Sequence, residues 1–540
     1  MEKLRNSVKG FIVVAAAVLM LSPLLGVGQA AAASRNAISI GMWSSPGASM
    51  LPHFYQVGYA RAVYRILFRT LLQYDDDFNI VPNIAASYSI SDDGKTYCFK
   101  IRDDAIWHDG KPVTSRDVKF TAECLSDPDF AFYGYQFVAG ILGAKERRDG
   151  KTKDLAGFKI IDDKTFEVTT DGVFAPMLDG FGTELHIIPH HILKDIPVKD
   201  MAQSKFAFNP TVGCGPYQFV KYVTDQYVEL KCFDRFYLGR PKIETVFIRI
   251  VIPDVAVAQL QKGELDMVFG GGLGDIPNIE IPVLRKNPSL VLKTAPGPYT
   301  QLMLVNCKQE KFKDLRVRRA MIHAINREGI QKKILFGNGM LGPGALNPGF
   351  PYHNNSLHPH EYNPEEARQL LKEAGWHKDT PVRLLVPTGN KERIQWATVA
   401  QQNFREVGIK ADLQQFDIST AISMWRKTPE KVDGFFVGLI NYLDPYTYFQ
   451  RRFHSKESGT SNLSFYSNPE VDELIDKSVL TVDRAERKKY YDRIQEILYD
   501  ELPVVPIIFP ASTIAVNKWV HGVKYNILPV TRNIHEWTVD

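Results

Sequence analysis

The stretch that most narrows the fold is residues 80–121, "IVPNIAASYSISDDGKTYCFKIRDDAIWHDGKPVTSRDVKFT". Two turn dipeptides, Asp93-Gly94 and Asp109-Gly110, separate short segments that contain alternating apolar residues. This pattern is typical of β-hairpins, because Asp and Gly tolerate a positive φ. Thr114-x-x-Asp117 then has the form of a helix capping box. His108 lies on the strand side of a turn, so we interpret it as structural and not as an acid–base catalyst.

Outside this stretch, apolar residues follow helical and strand spacing in turn. Helical patterns cover residues 60–74 and 314–330, and the phrases Asn363-Pro364 and Asn468-Pro469 each supply a cap residue and a proline for a helix start. Apolar runs such as "PVVPIIFP" (503–510) indicate buried strands. The fold class predicted is α/β, with mixed sheets flanked by helices. Two α/β regions separated by turn-rich β-structure indicate two lobes with an accessory domain, and clefts between lobes are common ligand sites.

Composition and charge exclude several classes of protein. The 540 residues are 44% hydrophobic and 23% charged, which is ordinary globular composition. The formal net charge is +4 and no long Lys/Arg block stands out, so we expect no nucleic-acid partner. The sequence contains no phosphate-binding P-loop and no G-x-S-x-G hydrolase turn. The histidines at 353, 358 and 360 make a metal site conceivable, but the thiolate or carboxylate spacing of a dedicated site is missing, so we predict no metal and no cofactor.

The N-terminus predicts export. Residues 1–33 combine a positive start, a short apolar run and the small residues Ala31-Ala32-Ala33, as a cleaved secretory signal does. The alternative is a membrane anchor, for which the run is shorter than the roughly 20 apolar residues required. The first of five cysteines is Cys98, so no cysteine follows the signal to take a lipid, and we expect a free periplasmic protein. Cys214 and Cys232 flank a predicted hairpin, and the sequence leaves a disulfide between them open.

Several long segments together resemble the extracellular solute-binding protein family 5, the peptide- and nickel-binding receptors of ABC importers. Residues 80–121 resemble the most recognisable segment of that family. They are followed in the family's order by "GPYQFVKY", "GRPKIETVFIRIV", "AQLQKGELDMV", "VRRAMIHAINREGI", "YNPEEARQLLKEAGW" and "LPVVPIIF". The resemblance covers roughly residues 37–525.

The resemblance implies a two-lobed, type II periplasmic binding protein fold with an extra inserted domain. Domain I would comprise residues 34–73, 206–283 and 511–540, the inserted domain II residues 74–205, and domain III residues 284–510. Members of the family close around a solute and deliver it to a membrane permease without converting it. The resemblance therefore implies a monomeric receptor for peptides or peptide-like solutes, with an ABC permease of the inner membrane as its partner and no enzymatic activity.

Peptide-binding members place an aspartate three residues before an Asp-Pro or Glu-Pro pair, where it binds the α-ammonium of the ligand. Counting back from Asp444-Pro445 gives Asn441 here. An amide cannot neutralise an ammonium, so Asn441 either departs from this mode of recognition or orders a loop. A shift in register would instead bring Asp444 or Asp433 into the role.

The remaining candidate ligand-binding residues come from the same resemblance. Met50, Leu51 and His53 belong to a segment that pairs like a strand with an extended ligand, although a structural loop is equally compatible. Lys391 and Arg393 are candidates for binding a carboxylate, and a guanidinium suits that role better than an ammonium. Trp425 and Tyr442 are candidates for the cavity wall, with a core position as the alternative.

Three rival functions stay open at this point, one of which is a chemosensory or chaperone role on the same fold that the sequence does not separate from transport. Within transport, the protein could be a receptor for a nickel chelate or another small solute. Outside transport it could be a secreted hydrolase, which would need a nucleophile and a base within hydrogen-bond reach in the cleft.

Overall fold

The computed structural model of the chain describes residues 36–55 and 57–540. The predicted signal segment, residues 1–33, lies outside the described residues. Within the described ranges no helix has the length and apolar character needed to cross a membrane.

The strands carry the labels β1 to β20 in chain order. They are β1 (Ala37–Met42), β2 (Leu72–Tyr74), β3 (Ile80–Pro82), β4 (Ala85–Ile90), β5 (Thr96–Ile101), β6 (Phe158–Ile160), β7 (Thr165–Thr169), β8 (Tyr217–Val223), β9 (Tyr227–Cys232), β10 (Thr245–Ile250), β11 (Met267–Val268), β12 (Leu290–Pro296), β13 (Tyr299–Val305), β14 (Gly339–Met340), β15 (Pro381–Pro387), β16 (Lys410–Phe416), β17 (Gly434–Ile440), β18 (Val504–Asn517), β19 (Val520–His521) and β20 (Thr538–Val539).

The helices carry the labels α1 to α15. They are α1 (Ala60–Leu67), α2 (Ser115–Leu125), α3 (Ala144–Arg148), α4 (His190–Leu193), α5 (Lys205–Phe208), α6 (Pro253–Lys262), α7 (Ile281–Leu284), α8 (Leu315–Ala324), α9 (Arg327–Lys333), α10 (Pro364–Glu373), α11 (Lys391–Glu406), α12 (Ile418–Lys427), α13 (Tyr446–Phe453), α14 (Pro469–Leu480) and α15 (Arg484–Glu501). A π-helical turn also spans Leu178–Gly182.

One large mixed sheet runs through the molecule in the order β16-β15-β17-β13-β18-β11-β1-β10-β9-β8, and β12 and β14 also pair with β18. The sheet contains parallel pairs, such as β1 with β10, and antiparallel pairs, such as β13 with β17. Helices flank this sheet, so the prediction of an α/β fold with mixed sheets is confirmed. A separate four-stranded sheet has the order β4-β5-β7-β6.

Strand β18 joins two regions of the sheet. Its first half pairs with β13 and its second half pairs with β12. The chain crosses between the same two regions at Gly297-Pro298, and the Gly297 amide donates to the Pro510 carbonyl at 3.0 Å. The two crossings therefore lie side by side.

Buried apolar residues form separate cores on either side of these crossings. The first core draws on residues 38–290 and 514–537, so the predicted accessory domain shares a core with predicted domain I. Leu284 and Leu290, which fall in predicted domain III, also pack in this first core. Two further cores, built from residues 302–508, cover the opposite faces of the other half of the sheet. Successive residues of β13 alternate between these two cores, as the strand period of two requires.

The local signals of residues 80–121 fold as predicted. Gly110 has a φ of 87° in the turn, and the capping box of α2 forms, with the Thr114 amide donating to Asp117 Oδ2 at 2.8 Å. His108 is buried; its Nδ1 accepts from the Gly213 amide and its Nε2 donates to the Gly215 carbonyl, both at 3.0 Å. Burial lowers the pKa of His108 to about 4. The structural interpretation of His108 is confirmed.

Two predicted helices are shorter than their patterns. The helix predicted over 60–74 ends at Leu67, because the Leu67 carbonyl accepts the amides of Cys214 and Gly215 at 2.9 and 2.8 Å instead of continuing the helix. The pattern over 314–330 contains two helices, since Asn326 caps the second by accepting from the Gly329 amide at 2.7 Å. Competing partners outside the local pattern cause both differences.

The five cysteines are free thiols, so Cys214 and Cys232 form no disulfide. The hairpin of β8 and β9 exists, but Tyr217 is the residue opposite Cys232. Cys214 therefore lies three residues beyond the end of the ladder. The Cys232 thiol faces the Glu244 carboxylate instead, with Sγ 3.4 Å from Oε2.

Candidate ligand-binding site

A cavity of about 490 Å³ lies between the first core and the half of the sheet that carries β13 and β17. Its lining residues come from both sides. From the side of the first core they fall within 53–65, 74, 133–137, 174–184, 269–273, 512 and 525–531, and from the other side within 296–299, 350 and 440–447. Of the candidates named from the sequence, His53, Asn441, Tyr442 and Asp444 line this cavity.

Asn441 follows directly after β17 and is only 4% exposed. Its Oδ1 accepts from the Asn347 amide at 3.0 Å and from the Thr300 hydroxyl at 2.9 Å. A backbone amide can only donate, so these bonds fix which atom is the oxygen and leave Nδ2 as the remaining group. Nδ2 has no hydrogen-bond partner among the described residues. Position 441 therefore keeps an unpartnered donor at the cavity wall among the described residues, while its oxygen is already engaged.

The Tyr448 hydroxyl lies near the Asn441 amide without bonding to it. The Tyr448 hydroxyl and the Thr300 hydroxyl, which also bonds to Asn441, each lie 3.0 Å from the Ala345 carbonyl oxygen. The Tyr448 hydroxyl donates to this carbonyl, and Nδ2 makes no hydrogen bond to the hydroxyl. The Asn441 donor thus stays available.

The two aspartates that a register shift would bring into this role are already paired. Asp444 lines the cavity, but its carboxylate lies 2.5 Å from Nη2 of the buried Arg487 and also accepts from the Tyr446 amide at 2.9 Å. Asp433 is fully buried at the other end of β17, with Lys311 Nζ at 2.9 Å and Arg383 Nε at 3.0 Å. Each of the two carboxylates therefore already faces a cation of the protein.

Tyr442 connects the two sides of the cavity. Its hydroxyl accepts from the hydroxyl of Tyr133 at 3.1 Å, and Tyr133 belongs to the predicted accessory domain. Two further bonds join the same sides near the cavity: the Ala175 amide donates to the Val479 carbonyl at 2.8 Å, and Arg484 Nη1 donates to the Phe78 carbonyl at 3.0 Å. The described form is therefore one in which the two sides are in contact.

The segment of residues 50–53 divides between core and cavity. Met50 and Leu51 are fully buried in the first core and do not line the cavity, because the Met50 amide pairs with the Ala207 carbonyl at 2.7 Å and holds both side chains inward. His53 has a φ of 68° and lines the cavity, with its Nε2 3.2 Å from the His186 carbonyl. Burial lowers the pKa of His53 to about 4, so it is a neutral wall residue near pH 7.

The three candidates from 391–425 lie outside the cavity. Trp425 is fully buried, and its indole N–H donates to the Leu463 carbonyl. Lys391 is exposed at the start of α11. Arg393 donates to Gln301 Oε1 through Nε and Nη2 at 3.1 and 3.0 Å, which satisfies its guanidinium within this half of the molecule.

The charged wall of the cavity comes from residues that the sequence analysis did not select: Arg61, Arg65, Asp179 and Glu184. Asp179 lies on the π-helical turn and accepts a hydrogen bond from the Tyr74 hydroxyl. Burial raises the pKa of Asp179, and the Asp444 carboxylate raises it further. The sequence contained an indication of these acids, because residues 174–188 are largely apolar and a carboxylate in such a segment is costly to bury without a partner.

No metal centre accompanies these groups in the part of the chain that the structure describes, where no three His, Cys, Asp or Glu side chains converge as metal ligands would. His360 instead stacks on Tyr499 with ring centroids 4.0 Å apart.

Comparison with known proteins shows which protein family the sequence resembles. The profile of the bacterial extracellular solute-binding proteins, family 5 Middle, matches residues 79–460. The oligopeptide-binding protein AppA of Bacillus subtilis (strain 168) is 27% identical over 498 residues, which cover 88% of this chain and 86% of AppA. The glutathione-binding protein GsiB of Escherichia coli O1:K1 / APEC is 26% identical over 482 residues, which cover 87% of this chain and 88% of GsiB.

Solved structures show the same fold at lower identity. AppA from Bacillus subtilis in complex with a nonapeptide superposes with a TM-score of 0.72 at 23% identity and covers 94% of this chain and 99% of its own. NikZ from Campylobacter jejuni in complex with Ni(L-His) gives a TM-score of 0.74 at 24% identity, covering 93% and 99%. The fold is thus the two-lobed periplasmic binding protein fold, as predicted. Since the profile match spans well over half of its length, the chain belongs to the bacterial extracellular solute-binding proteins, family 5.

Proposed function

We propose that the protein is the receptor of an ABC importer for peptides or peptide-like solutes. It captures the solute between its two lobes and delivers it unaltered to a membrane permease. The observation that carries the proposal is the cavity of about 490 Å³ lined from both sides. Ligand cavities for small molecules span about 300–1,000 Å³. The volume therefore suits a short peptide.

The composition of the cavity wall supports capture without conversion. A hydrolase needs a nucleophile hydrogen-bonded to a base. Among the described lining residues the serine and threonine hydroxyls make no hydrogen bond to a histidine, and the one lining histidine, His53, bonds to a backbone carbonyl. Ser512 donates to the Asp275 carboxylate, whose pKa is raised to about 6 by burial, but it also contacts the Tyr525 hydroxyl and the Gly271 amide in a closed network.

The lobes of this receptor are proposed to be domain I with the inserted domain II, and domain III. The two neighbouring crossings, at Gly297-Pro298 and at Pro510-Ala511 within β18, support a hinge at this place. Hinges of this kind need only a few residues at element ends. We expect small-angle scattering to show a more extended molecule without solute than with it.

The same proposal covers export and assembly. Residues 1–33 act as the signal, cleavage near Ala33 leaves Ser34 as the first residue, and the mature protein is a free periplasmic monomer. N-terminal sequencing of the exported protein and light scattering of the purified protein test these two points.

The decisive experiment identifies what the protein carries. The mature chain is purified gently and denatured, and the released compounds are identified by mass spectrometry; a mixture of short peptides is expected. Thr447→Trp, which places an indole in the cavity wall, should lose these peptides, whereas Thr420→Trp, at an exposed position of α12, should retain them. A single non-peptide compound or a metal chelate would favour a small-solute receptor, and cleavage of an added peptide would favour a hydrolase.

A further inference from the structure

The carboxylates of the cavity wall differ in their ion-pair partners. Asp444 is neutralised by Arg487 at 2.5 Å, and Glu184 faces Arg65 at 3.7 Å. Asp179 has only the Tyr74 hydroxyl as a side-chain donor, and no Lys, Arg or His of the described chain lies within ion-pair distance of it. A carboxylate withdrawn from bulk water is costly unless a cation or several donors compensate it. Among the described residues, Asp179 is therefore the carboxylate of the cavity wall that has no ion-pair partner.

A second group in the same cavity also lacks a partner. Asn441 is 4% exposed, and its Nδ2 donor has no acceptor among the described residues. The Asn347 amide and the Thr300 hydroxyl occupy the oxygen of the same side chain. A buried donor without an acceptor is costly, so a ligand oxygen at this point would be favourable. Asn441 comes from the side of β17, whereas Asp179 comes from the π-helical turn on the side of the first core.

We propose that the ligand places a cationic amine against Asp179 and presents a carbonyl or carboxylate oxygen to the Nδ2 donor of Asn441. This inference rests on the proposed function and specifies its ligand as a peptide with a free amino terminus. The amine anchor is thus supplied by the inserted domain, and position 441 binds an oxygen.

The arrangement also links binding to contact between the lobes. Asp179 and Asp444 lie on opposite sides of the cavity, and the charge of Asp444 opposes ionisation of Asp179. Arg487 and Arg484 from α15 reduce this repulsion but lie beyond ion-pair distance of Asp179, while Tyr74 donates to it. A ligand amine at Asp179 removes the remaining repulsion, so the ligand favours the form in which the two sides meet.

The test compares two probes on the full mature chain by isothermal titration calorimetry: a pool of free-amine tripeptides and the same pool after N-acetylation. The wild type should bind the free-amine pool about 10- to 100-fold more tightly, which is the range expected for a hydrogen bond to a charged group. Asp179→Asn, which retains an oxygen for the Tyr74 hydroxyl, should lose this preference. Asp171→Asn, at an exposed carboxylate that does not line the cavity, should keep it.

Asn441→Asp distinguishes the two possible anchors of the ligand amine, because they predict opposite changes in affinity. The new carboxylate keeps one oxygen for Asn347 and Thr300 and turns the other towards the ligand oxygen. Binding of the free-amine pool should therefore weaken by about 10-fold. If position 441 were the amine anchor, the same change would tighten binding.

Each outcome decides between distinct conclusions. Equal binding of both pools by the wild type, unchanged preference in Asp179→Asn, or tighter binding by Asn441→Asp would overturn the assignment and leave peptide capture standing. If neither pool binds, the proposed peptide function itself fails. Circular dichroism melting controls for folding, Asp179→Ser serves as a second variant at the same position, and the wild-type comparison of the two pools needs no variant.

Discussion

The buried ion pair between Arg487 and Asp444 permits a sharp prediction about stability. Arg487 is 1% exposed on α15, and its Nη2 lies 2.5 Å from Asp444 Oδ2. The same guanidinium donates to the Ser478 carbonyl at 3.0 Å and to the Tyr491 hydroxyl at 2.9 Å. Arg487→Met removes the cation and keeps an apolar side chain of similar length, so the main change is an Asp444 carboxylate without a counter-charge.

The size of the effect follows from burial. Removing one partner of a buried pair costs about 3–5 kcal/mol of unfolding free energy. Arg493 on the same helix provides a matched control, because it pairs with Glu470 at 2.8 Å but is 50% exposed. Exposed pairs contribute about 0–1 kcal/mol. For a unit of 150–250 residues, 1 kcal/mol corresponds to roughly 2–4 °C, so Arg487→Met should lower the melting temperature by about 6–20 °C and Arg493→Met by at most about 4 °C.

Differential scanning calorimetry of the ligand-free protein measures both shifts. A double variant, Arg487→Met with Asp444→Asn, should be less destabilised than the sum of its single changes, because it no longer buries an unpaired charge. The reasoning is refuted if the two arginine variants melt at the same temperature, or if the double variant is simply additive.

Three further predictions test other parts of the structure. Tyr133→Phe removes the hydrogen bond to Tyr442 across the cavity and should speed peptide dissociation about 2- to 12-fold in stopped-flow displacement, whereas Tyr135→Phe should leave it unchanged. Burial lowers the folded-state pKa of His108 from 6.5 to about 4, so the unfolded chain binds one proton more between these pH values and the free energy of unfolding falls as the pH decreases. In His108→Gln the change of the unfolding free energy with pH should be smaller by about 1.4 kcal/mol per pH unit. Urea titrations at several pH values from 4 to 7 measure this change, and the same pH dependence in the variant and the wild type would contradict the prediction. Gly215→Ala should lower the melting temperature strongly, since an added Cβ would collide with the backbone carbonyl of Ile66; a wild-type melting curve would show that the loop yields.

Elements with local signals were predictable from the sequence. Asn363 caps α10 by accepting from the Glu366 amide at 3.0 Å, and Asn468 caps α14 by accepting from the Glu470 amide at 2.9 Å. In both cases the residues that set the helix start lie within one turn of it, so the sequence contains the whole interaction. The hairpin turn at Asp109-Gly110 follows the same logic.

Features decided by distant partners were not predictable in this way. The end of α1 at Leu67 depends on amides more than 140 residues away in the chain, and Met50 is held inward by the carbonyl of Ala207. Trp425 has a residue type that is common in cavity walls, but it packs in one of the two cores built from residues 302–508 and is fully buried there. Residue type and spacing do not decide such cases, because packing against other segments does.

The hydrogen-bonding and charge properties of the ligand site depend most strongly on partners that are distant in the sequence. Asn441 carries one acceptor and one donor, and its residue type alone is compatible with either role towards a ligand. The Asn347 amide and the Thr300 hydroxyl both bond to the acceptor oxygen, and the donor nitrogen has no partner among the described residues. Asp179 and Asp444 are both carboxylates of the same cavity, yet Arg487 pairs with Asp444, whereas Asp179 has no ion-pair partner among the described residues. What the cavity can bind therefore depends on the polar and charged groups of its wall that have no hydrogen-bond or ion-pair partner within the protein. These groups can be identified only when the contacts of each side chain in the wall are known.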